Sequence, residues 1–500
     1  MVLAVGRARD ARACHDGDVA HIEHSTALPY PRERVFAWFE RPGALVRLTP
    51  PFAGSVLSEP DDGLRDGSEA RLAVGAPGVL GTGLGALAAA LPLPSALPGW
   101  LRRGQVESTG RHDSYDPPRG FRVTTTGPFG RIVHEHRFVE SDGGGTVLHE
   151  SVDVVAPRES DLVAGTLVPT LRRVLEYRAV QLRDDLAFHA AHADAGPRTI
   201  AVAGASGLIG TQLCALLSVG GHRVLRLVRR PAETSDEISW DPAAGRLDPE
   251  ALRDVDAVVN LAGRSIGGRF TAAAKDEILT SRAEGTLLIA RALADLAGDG
   301  RRRAFVCASG IGYYGTDPHG DGDDAPLTED SPSGAGFLAL VCREWEGATE
   351  PAEKAGVRVV NVRTGLVQSP AEGSLSRLLP LFAVGLGGPL DREQWQSWIS
   401  VDDVVSVYAH AVLTDDLAGP LNAVGPEPVR GAEYARTLGK VLRRPALVPV
   451  PSFGPRLVVG SEGAQELAYA SQRVSSDRLE ASGYTFRHRT LGAALRHVLP

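Results

Sequence analysis

From residue 199 onward, short continuous apolar runs alternate with stretches of helical spacing. Residues 199–203, 222–228, 257–261, 303–307 and 357–362 each read as a strand buried on both faces. The helical segments between them predict a doubly wound parallel sheet, an α/β fold of Rossmann type with ligand loops at the carboxyl ends of its strands. Upstream the period is different. Residues 24–28 read as a strand, and Tyr30-Pro31-Arg32 opens a short helix through Phe36 and Phe39, because proline is tolerated in a first helical turn. Residues 121–125, 132–138 and 146–154 alternate apolar and polar positions, as half-buried antiparallel strands do. Leu171, Val174, Leu175, Leu182, Leu186 and His189 then recur at helical spacing and predict a long amphipathic helix. Between the two patterns, Ala190 to Arg198 holds small residues and a Gly-Pro break, which marks a boundary. The expected organisation is an α+β domain at 18–190, a linker at 191–198, the Rossmann-type domain at 199–415 and a small C-terminal lobe at 416–500.

The loop after the first parallel strand carries the most specific chemistry. Gly204-Ala205-Ser206-Gly207-Leu208-Ile209-Gly210 spaces its glycines by three, between a strand and a helix expected over 211–219. Gly204 permits a tight turn, Gly207 lets backbone N–H groups approach a pyrophosphate, and Gly210 allows close helix–strand packing, with the helix N-terminus favouring the anion. The second strand ends in Arg229-Arg230. A carboxylate there would bind the ribose hydroxyls of NAD, whereas arginine accommodates the 2′-phosphate of NADP, so NADP is the expected cofactor.

Composition narrows the setting. Five hundred residues with 43% hydrophobic and 23% charged positions suffice for two or three globular domains. A net charge of −8, with no basic block longer than Arg301-Arg302-Arg303, argues against nucleic acid as a partner. Cys14, Cys214, Cys307 and Cys342 lie too far apart to read as a zinc site or a disulfide framework, and no secretory leader is evident, so the expected location is the cytoplasm. Residues 72–101 carry no charge, but Pro77, Pro92, Pro94 and Pro98 interrupt them. The longest helix-capable run is about 14 residues against the ~20 of a membrane span, so a buried or lid-like insertion is expected. His134 and His136 share a strand face and suit a metal, but no third ligand declares itself, so no metal site is assigned.

The chain from Thr199 to its C-terminus resembles the extended short-chain dehydrogenase/reductases, and within them the epimerase-like homologues of nucleoside-diphosphate-sugar epimerases. The resemblance is carried by the glycine loop, Asn260-Leu261-Ala262-Gly263, Gly312-Tyr313-Tyr314-Gly315, Arg363-Thr364-Gly365, Ser397 to Asp403 and Leu421 to Pro426. It implies that Leu261, Ala262 and Gly263 complete the cofactor site and that the C-terminal lobe serves a small-molecule substrate. It also implies dimerisation through helices flanking the sheet. The order of elements over about 18–190 resembles the START/polyketide-cyclase-like helix-grip superfamily, which implies a pocket for a small hydrophobic ligand.

The departures from the wider family bear on mechanism. Its tyrosine and lysine, four residues apart, fall here on Phe337 and Val341; its serine or threonine falls on Gly310, and its helix asparagine on Arg282. Phenylalanine has no proton to move, so the usual acid–base scheme does not transfer. Tyr313 and Tyr314 are candidate proton donors, and Ser309 a candidate for orienting a carbonyl. Arg363, Gln394, Trp395 and Trp398 offer hydrogen bonds and stacking to a substrate, although Trp395 and Trp398 also read as one helical or turn face that packs the lobe. Asp402 and Asp403 read as N-terminal caps of a helix at 404–413. The leading expectation is an NADP-dependent oxidoreductase or epimerase-like enzyme on a small carbonyl or hydroxyl compound. The alternatives are a non-catalytic NADP-dependent sensor or regulator, since some relatives carry a cell-division-inhibitor label, and a hydrophobic-ligand carrier acting through the N-terminal domain.

Overall fold

The computed structural model describes residues 19–75, 105–127, 130–155, 161–317, 324–450 and 453–500, with the side chains of 19 and 161–166 left aside. Most of the uncharged stretch at 72–101, and Cys14, lie outside the described residues. The chain divides into two compact units, Met1–Ala187 with Pro500, and Phe188–Leu499.

The first unit is one antiparallel sheet with helices. Its strands are β1 (Val19–Leu28), β2 (Gly54–Ser58), β3 (Glu69–Val74), β4 (Val106–Asp116), β5 (Gly120–Gly127), β6 (Gly130–Glu140) and β7 (Thr146–Val155), in the order β1-β7-β6-β5-β4-β3-β2. Strict alternation places Ile22, Val152 and Val154 on one face, where they pack on Leu175 of the helix Asp161–Ala191. Phe36 and Phe39 of the helix Arg32–Glu40 meet Phe138 edge to face, with ring centroids 5.2 Å apart. Arg47 and Asp185 form a fully buried pair at 2.8 Å.

The long helix ends at Ala191, beside the expected start of the linker. A 3₁₀ turn follows at Ala193–Ala195, and the chain turns at Gly196, with φ +65, before Pro197.

The second unit is built on a seven-stranded parallel sheet. Its strands are β8 (Thr199–Ala203), β9 (Arg223–Val228), β10 (Glu237–Ser239), β11 (Ala257–Asn260), β12 (Ala304–Gly310) and β13 (Arg358–Thr364), together with β17 (Gly419–Ala423). The order β10-β9-β8-β11-β12-β13-β17 reverses direction between β8 and β11, the switch point at which α/β sheets bind ligands. Helices Leu208–Val219, Ala272–Leu296, Phe337–Gly347 and Val401–Leu413 cover it. Two small ladders flank the sheet: β14 (Leu366–Gln368) pairs with β16 (Trp398–Ser400), and β15 (Trp395–Gln396) with β18 (Val429–Arg430). No helix among the described residues is long and apolar enough to cross a membrane.

Two local expectations are corrected. Asp402 and Asp403 are not caps: Ser400 caps the helix Val401–Leu413, its hydroxyl accepting from the Asp403 N–H at 2.9 Å. Asp403 lies buried in the first turn and accepts from the Tyr484 hydroxyl at 2.9 Å and the Arg487 N–H at 2.8 Å, which ties the C-terminal segment to the sheet domain. Trp395 and Trp398 share neither a helical nor a turn face, because their three-residue spacing falls on two separate strands.

Candidate functional site

The glycine loop leaves β8 and folds tightly on itself. Gly204 has φ +77, and a Cβ there would lie 2.8 Å from the Leu261 carbonyl carbon and 2.9 Å from the Ala262 nitrogen. A Cβ on Gly210 would lie 2.2 Å from the Gly204 oxygen. Both positions therefore demand glycine for packing. Gly207 differs: its φ is −77, and a Cβ there would meet only the Gly204 oxygen, at an ordinary 3.5 Å. Gly207 is also the N-cap of the helix, which starts at Leu208, three residues earlier than expected. The N–H groups of Leu208, Ile209 and Gly210 are therefore first-turn groups, which have no intrahelical acceptor. Ala205 and Ser206 span the turn between the two glycines, with the Thr211 hydroxyl donating to the Ala205 carbonyl at 3.2 Å.

At the end of β9 the two arginines separate. Arg230 is held by Glu237 through paired bonds of 2.7 and 2.9 Å, with Glu233 3.3 Å away. Arg229 is exposed and carries no hydrogen bond or ion pair among the described residues. Of the two, Arg229 is the cation available to an anion. Across the switch point, the Asn260 amide donates to the Thr286 hydroxyl at 2.9 Å and accepts from the Ala262 N–H at 3.1 Å, which fixes Leu261, Ala262 and Gly263 beside the glycine loop.

The candidate catalytic residues lie at the end of β12 and in the turn that follows it, and Ser309 and Tyr314 share one hydrogen-bond network with Arg363 of β13. The Ser309 hydroxyl donates to Glu346 at 2.7 Å, and Arg363 grips the same carboxylate through two bonds of 2.9 Å. Arg363 also donates to the Tyr314 hydroxyl at 3.1 Å, which itself donates to the Asn422 side-chain oxygen at 2.7 Å. Burial works against the charge on Arg363, but the Glu346 carboxylate more than restores it. Burial pushes the Tyr314 phenol up to about 12 and the Cys342 thiol up to about 11. Ser309 and Tyr314 are thus buried and committed. Tyr313 is half-buried, its ring lies 3.5 Å beneath the Arg363 guanidinium, and its hydroxyl has no partner among the described residues.

Glu346 was missed from the sequence. It stands 37 residues from Ser309 and 17 from Arg363, and only the packing of the helix Phe337–Gly347 brings the three together.

Three of the expected substrate residues differ in exposure. Trp398 is fully buried, and its indole N–H donates to the Glu427 carbonyl at 2.8 Å. Gln394 is buried and donates to the Ala468 carbonyl at 3.1 Å. Trp395 is partly open; Arg430 stacks on its ring at 3.9 Å, and its indole N–H donates to Asp324 at 2.8 Å. Packing inside the lobe therefore accounts for Gln394 and Trp398, leaving Trp395 the more accessible of the three.

Two groups of potential metal ligands occur among the described residues. In the first unit, the β6–β7 register sets His136 opposite Glu150, supplying the third ligand the sequence did not reveal. Arg178 already donates to Glu150 at 3.1 Å and to His136 at 3.0 Å. Burial alone would raise the Glu150 carboxyl, but Arg178 and His134 hold it down at about 2. In the second unit, Asp402, His488 and His497 cluster, with 3.4 Å between His497 Nε2 and Asp402 Oδ2.

A parallel sheet with this strand order, and a glycine loop at its switch point, is a Rossmann-type α/β fold. Residues 200–423 match the NAD dependent epimerase/dehydratase family, and residues 450–498 match a domain of unknown function. An epimerase family protein of Mycobacterium bovis is 43% identical over 301 residues, 60% of this chain and 97% of that protein. The human epimerase family protein SDR39U1 is 34% identical over 306 residues, 60% of this chain and 99% of the human one. The chain belongs to this epimerase family. The crystal structure of the nucleoside-diphosphate sugar epimerase from Corynebacterium glutamicum matches with a TM-score of 0.74 at 32% identity, over 96% of this chain and 90% of that one. Human SDR39U1 (isoform 2), solved with NADPH, matches with a TM-score of 0.53 at 33% identity, over 60% of this chain and 99% of that one.

Proposed function

We propose that this protein is an NADP-dependent oxidoreductase or epimerase-like enzyme acting on a small carbonyl or hydroxyl compound. The observation that carries the reading is the glycine cradle at the switch point, with the unpaired Arg229 at the end of β9 where an NAD site would carry a carboxylate. The NADPH in the human relative's structure supports the same choice. Residues 204–210 and 261–263 would hold the pyrophosphate and ribose, and Arg229 the 2′-phosphate. When bound, NADPH supplies a hydride. Tyr313 is the proton donor, because its hydroxyl is free where those of Ser309 and Tyr314 are committed.

The test is fluorescence titration with NADPH and NADH, followed by NADPH consumption against a panel of carbonyl compounds. Tyr313→Phe should abolish turnover and leave the NADPH Kd unchanged, while Ser309→Ala should leave turnover largely intact. Failure of both nucleotides to bind would overturn the reading. Commitment of Ser309 and Tyr314 to a structural network also supports a second reading, a non-catalytic NADP-dependent sensor. That reading gains if NADPH binds tightly and no carbonyl consumes it.

The first unit we read as a helix-grip, START/polyketide-cyclase-like domain that holds a hydrophobic ligand, and residues 416–500 as a substrate lobe. The seven-stranded antiparallel sheet with a long helix packed on one face supports the helix-grip reading. If the first unit delivers the substrate, tethering raises its effective concentration. A chain lacking residues 1–187 should then turn over with a raised KM; an unchanged KM and kcat would sink that role.

A further inference from the structure

Arg282 is a half-buried cation without a counter-charge among the described residues. It stands on the helix Ala272–Leu296, at the position where the wider family resemblance expects asparagine. A Cβ built on Gly263 would lie 3.1 Å from its Cζ, 3.2 Å from its Cγ and 3.3 Å from its Nε, so the side chain runs along the loop that follows β11. Its Cζ lies 4.9 Å from the centre of the Trp345 ring. One N–H donates to the Ile278 carbonyl of its own helix at 3.1 Å. It makes no other hydrogen bond and no ion pair among the described residues.

The other inward-facing arginines are differently served. Arg47 pairs with Asp185, Arg178 with Glu150, Arg303 with Asp299 and Arg363 with Glu346. Arg358 donates to three backbone carbonyls. A guanidinium carries five N–H donors in a fixed fork, and burying a charge is costly unless it is paired. Stacking on Trp345 covers one face of Arg282 and leaves the fork. Burial pushes this guanidinium down to about 10.

The place of Arg282 matters as much as its lack of a partner. Gly263 follows Leu261 and Ala262, which touch the Gly204 turn, so Arg282 borders the switch-point cleft. Trp345 belongs to the helix Phe337–Gly347, on which the family's proton-transfer pair would fall at Phe337 and Val341. The charge missing at Val341 thus has a counterpart on the neighbouring helix.

We propose that Arg282 binds an oxyanion, the carboxylate or phosphate of the substrate, in the cleft beside the bound dinucleotide. The proposal rests on the NADP reading for its location, and the anion chemistry stands apart from it. A planar fork matches the two oxygens of a carboxylate or phosphate, and a partly desolvated site strengthens the bond.

The test uses the full chain and two probes, inorganic phosphate and acetate, read by thermal melting with and without saturating NADPH. Wild type should show a saturable rise in Tm with either anion, Arg282→Gln should lose it, and Arg282→Lys should keep a weaker one, which separates loss of the anion site from misfolding. NADPH affinity should change by less than about threefold in Arg282→Gln. If that affinity instead falls by more than about tenfold and phosphate competes with NADPH only in wild type, the oxyanion is the dinucleotide's own pyrophosphate and the site stands with that source. Anion-induced shifts that are absent, or equal in wild type and Arg282→Gln, overturn the proposal. If NADPH fails to bind, the functional reading falls alone, and the anion shift of the NADPH-free chain still decides the role of Arg282.

Discussion

Replacing Arg229 tests the cofactor reading most directly, because the two neighbouring arginines give it an internal control. Arg229 is exposed and unpaired, so its attraction to a 2′-phosphate acts through water. Two unit charges about 4 Å apart in water interact by about 1 kcal/mol. A phosphate monoester carries a charge of about −1.5 to −2 near neutral pH, so the attraction is about 1.5–2 kcal/mol, or ~10–30-fold in Kd. Arg229→Gln should weaken NADPH by that factor and leave NADH unchanged. Arg229→Asp adds a repulsion of similar size and should cost NADPH about 3–4 kcal/mol, ~10²–10³-fold. Raising salt should shrink the wild-type preference, since exposed charges are screened. Arg230 is already neutralised by Glu237, with Glu233 beside it, so Arg230→Gln should matter less. Fluorescence titration of both nucleotides at two salt concentrations reads all of these. Equal losses of NADPH and NADH in Arg229→Asp, or a larger effect from Arg230→Gln, would refute the assignment.

Gly207→Ala should fold with an unchanged Tm and lose nucleotide binding, because its Cβ meets only an ordinary contact yet covers the helix N-terminus; Gly210→Ala, driven against backbone at 2.2 Å, should lower Tm as well. Arg363→Met strands the Glu346 carboxylate and should cost about 3–5 kcal/mol in urea unfolding, with a loss under about 1 kcal/mol counting against the network. His410 is held at about 4 by burial and by the facing His192, 2.8 Å away. The unfolded chain therefore takes up a proton between about pH 6.5 and 4 that the folded one refuses, and stability should fall by about 3 kcal/mol as pH drops through that window. His410→Gln should flatten this slope; an unchanged slope would assign it to other groups.

Features carried by contiguous residues were legible in the sequence, and features made by register or packing were not. The parallel strands and the glycine loop are local patterns, and the main error there was the start of one helix, moved from Thr211 to Leu208 because Gly207 itself is the N-cap. Glu150 was invisible as the partner of His134 and His136, since only the β6–β7 register sets it opposite His136. The spacing of Trp395 and Trp398 suggested one face, but strands of two and three residues, too short to show a period, place them in different surroundings. In the same way Asp402 and Asp403 looked like caps, because acids favour a helix start, whereas a serine two residues earlier does the capping and frees Asp403 to bind the C-terminal segment.

The network around Glu346 also limits what the cleft can do. Arg363 keeps the Glu346 carboxylate paired, so the Ser309 proton points at Glu346 and only lone pairs of its oxygen remain. A hydroxyl in that state accepts and does not donate, so it cannot polarise a substrate carbonyl. The Tyr314 hydroxyl is similarly spent, accepting from Arg363 and donating to Asn422. Among the described residues, Tyr313 keeps a free hydroxyl, with a guanidinium over its ring, and Arg282, like Arg229, has no ion pair. The Arg363 guanidinium lies 3.5 Å from the centre of the Tyr313 ring. Phe337 and Val341 stand where the wider family has its pair, and here the free hydroxyl and the guanidinium beside it come from the loop after β12 and from β13.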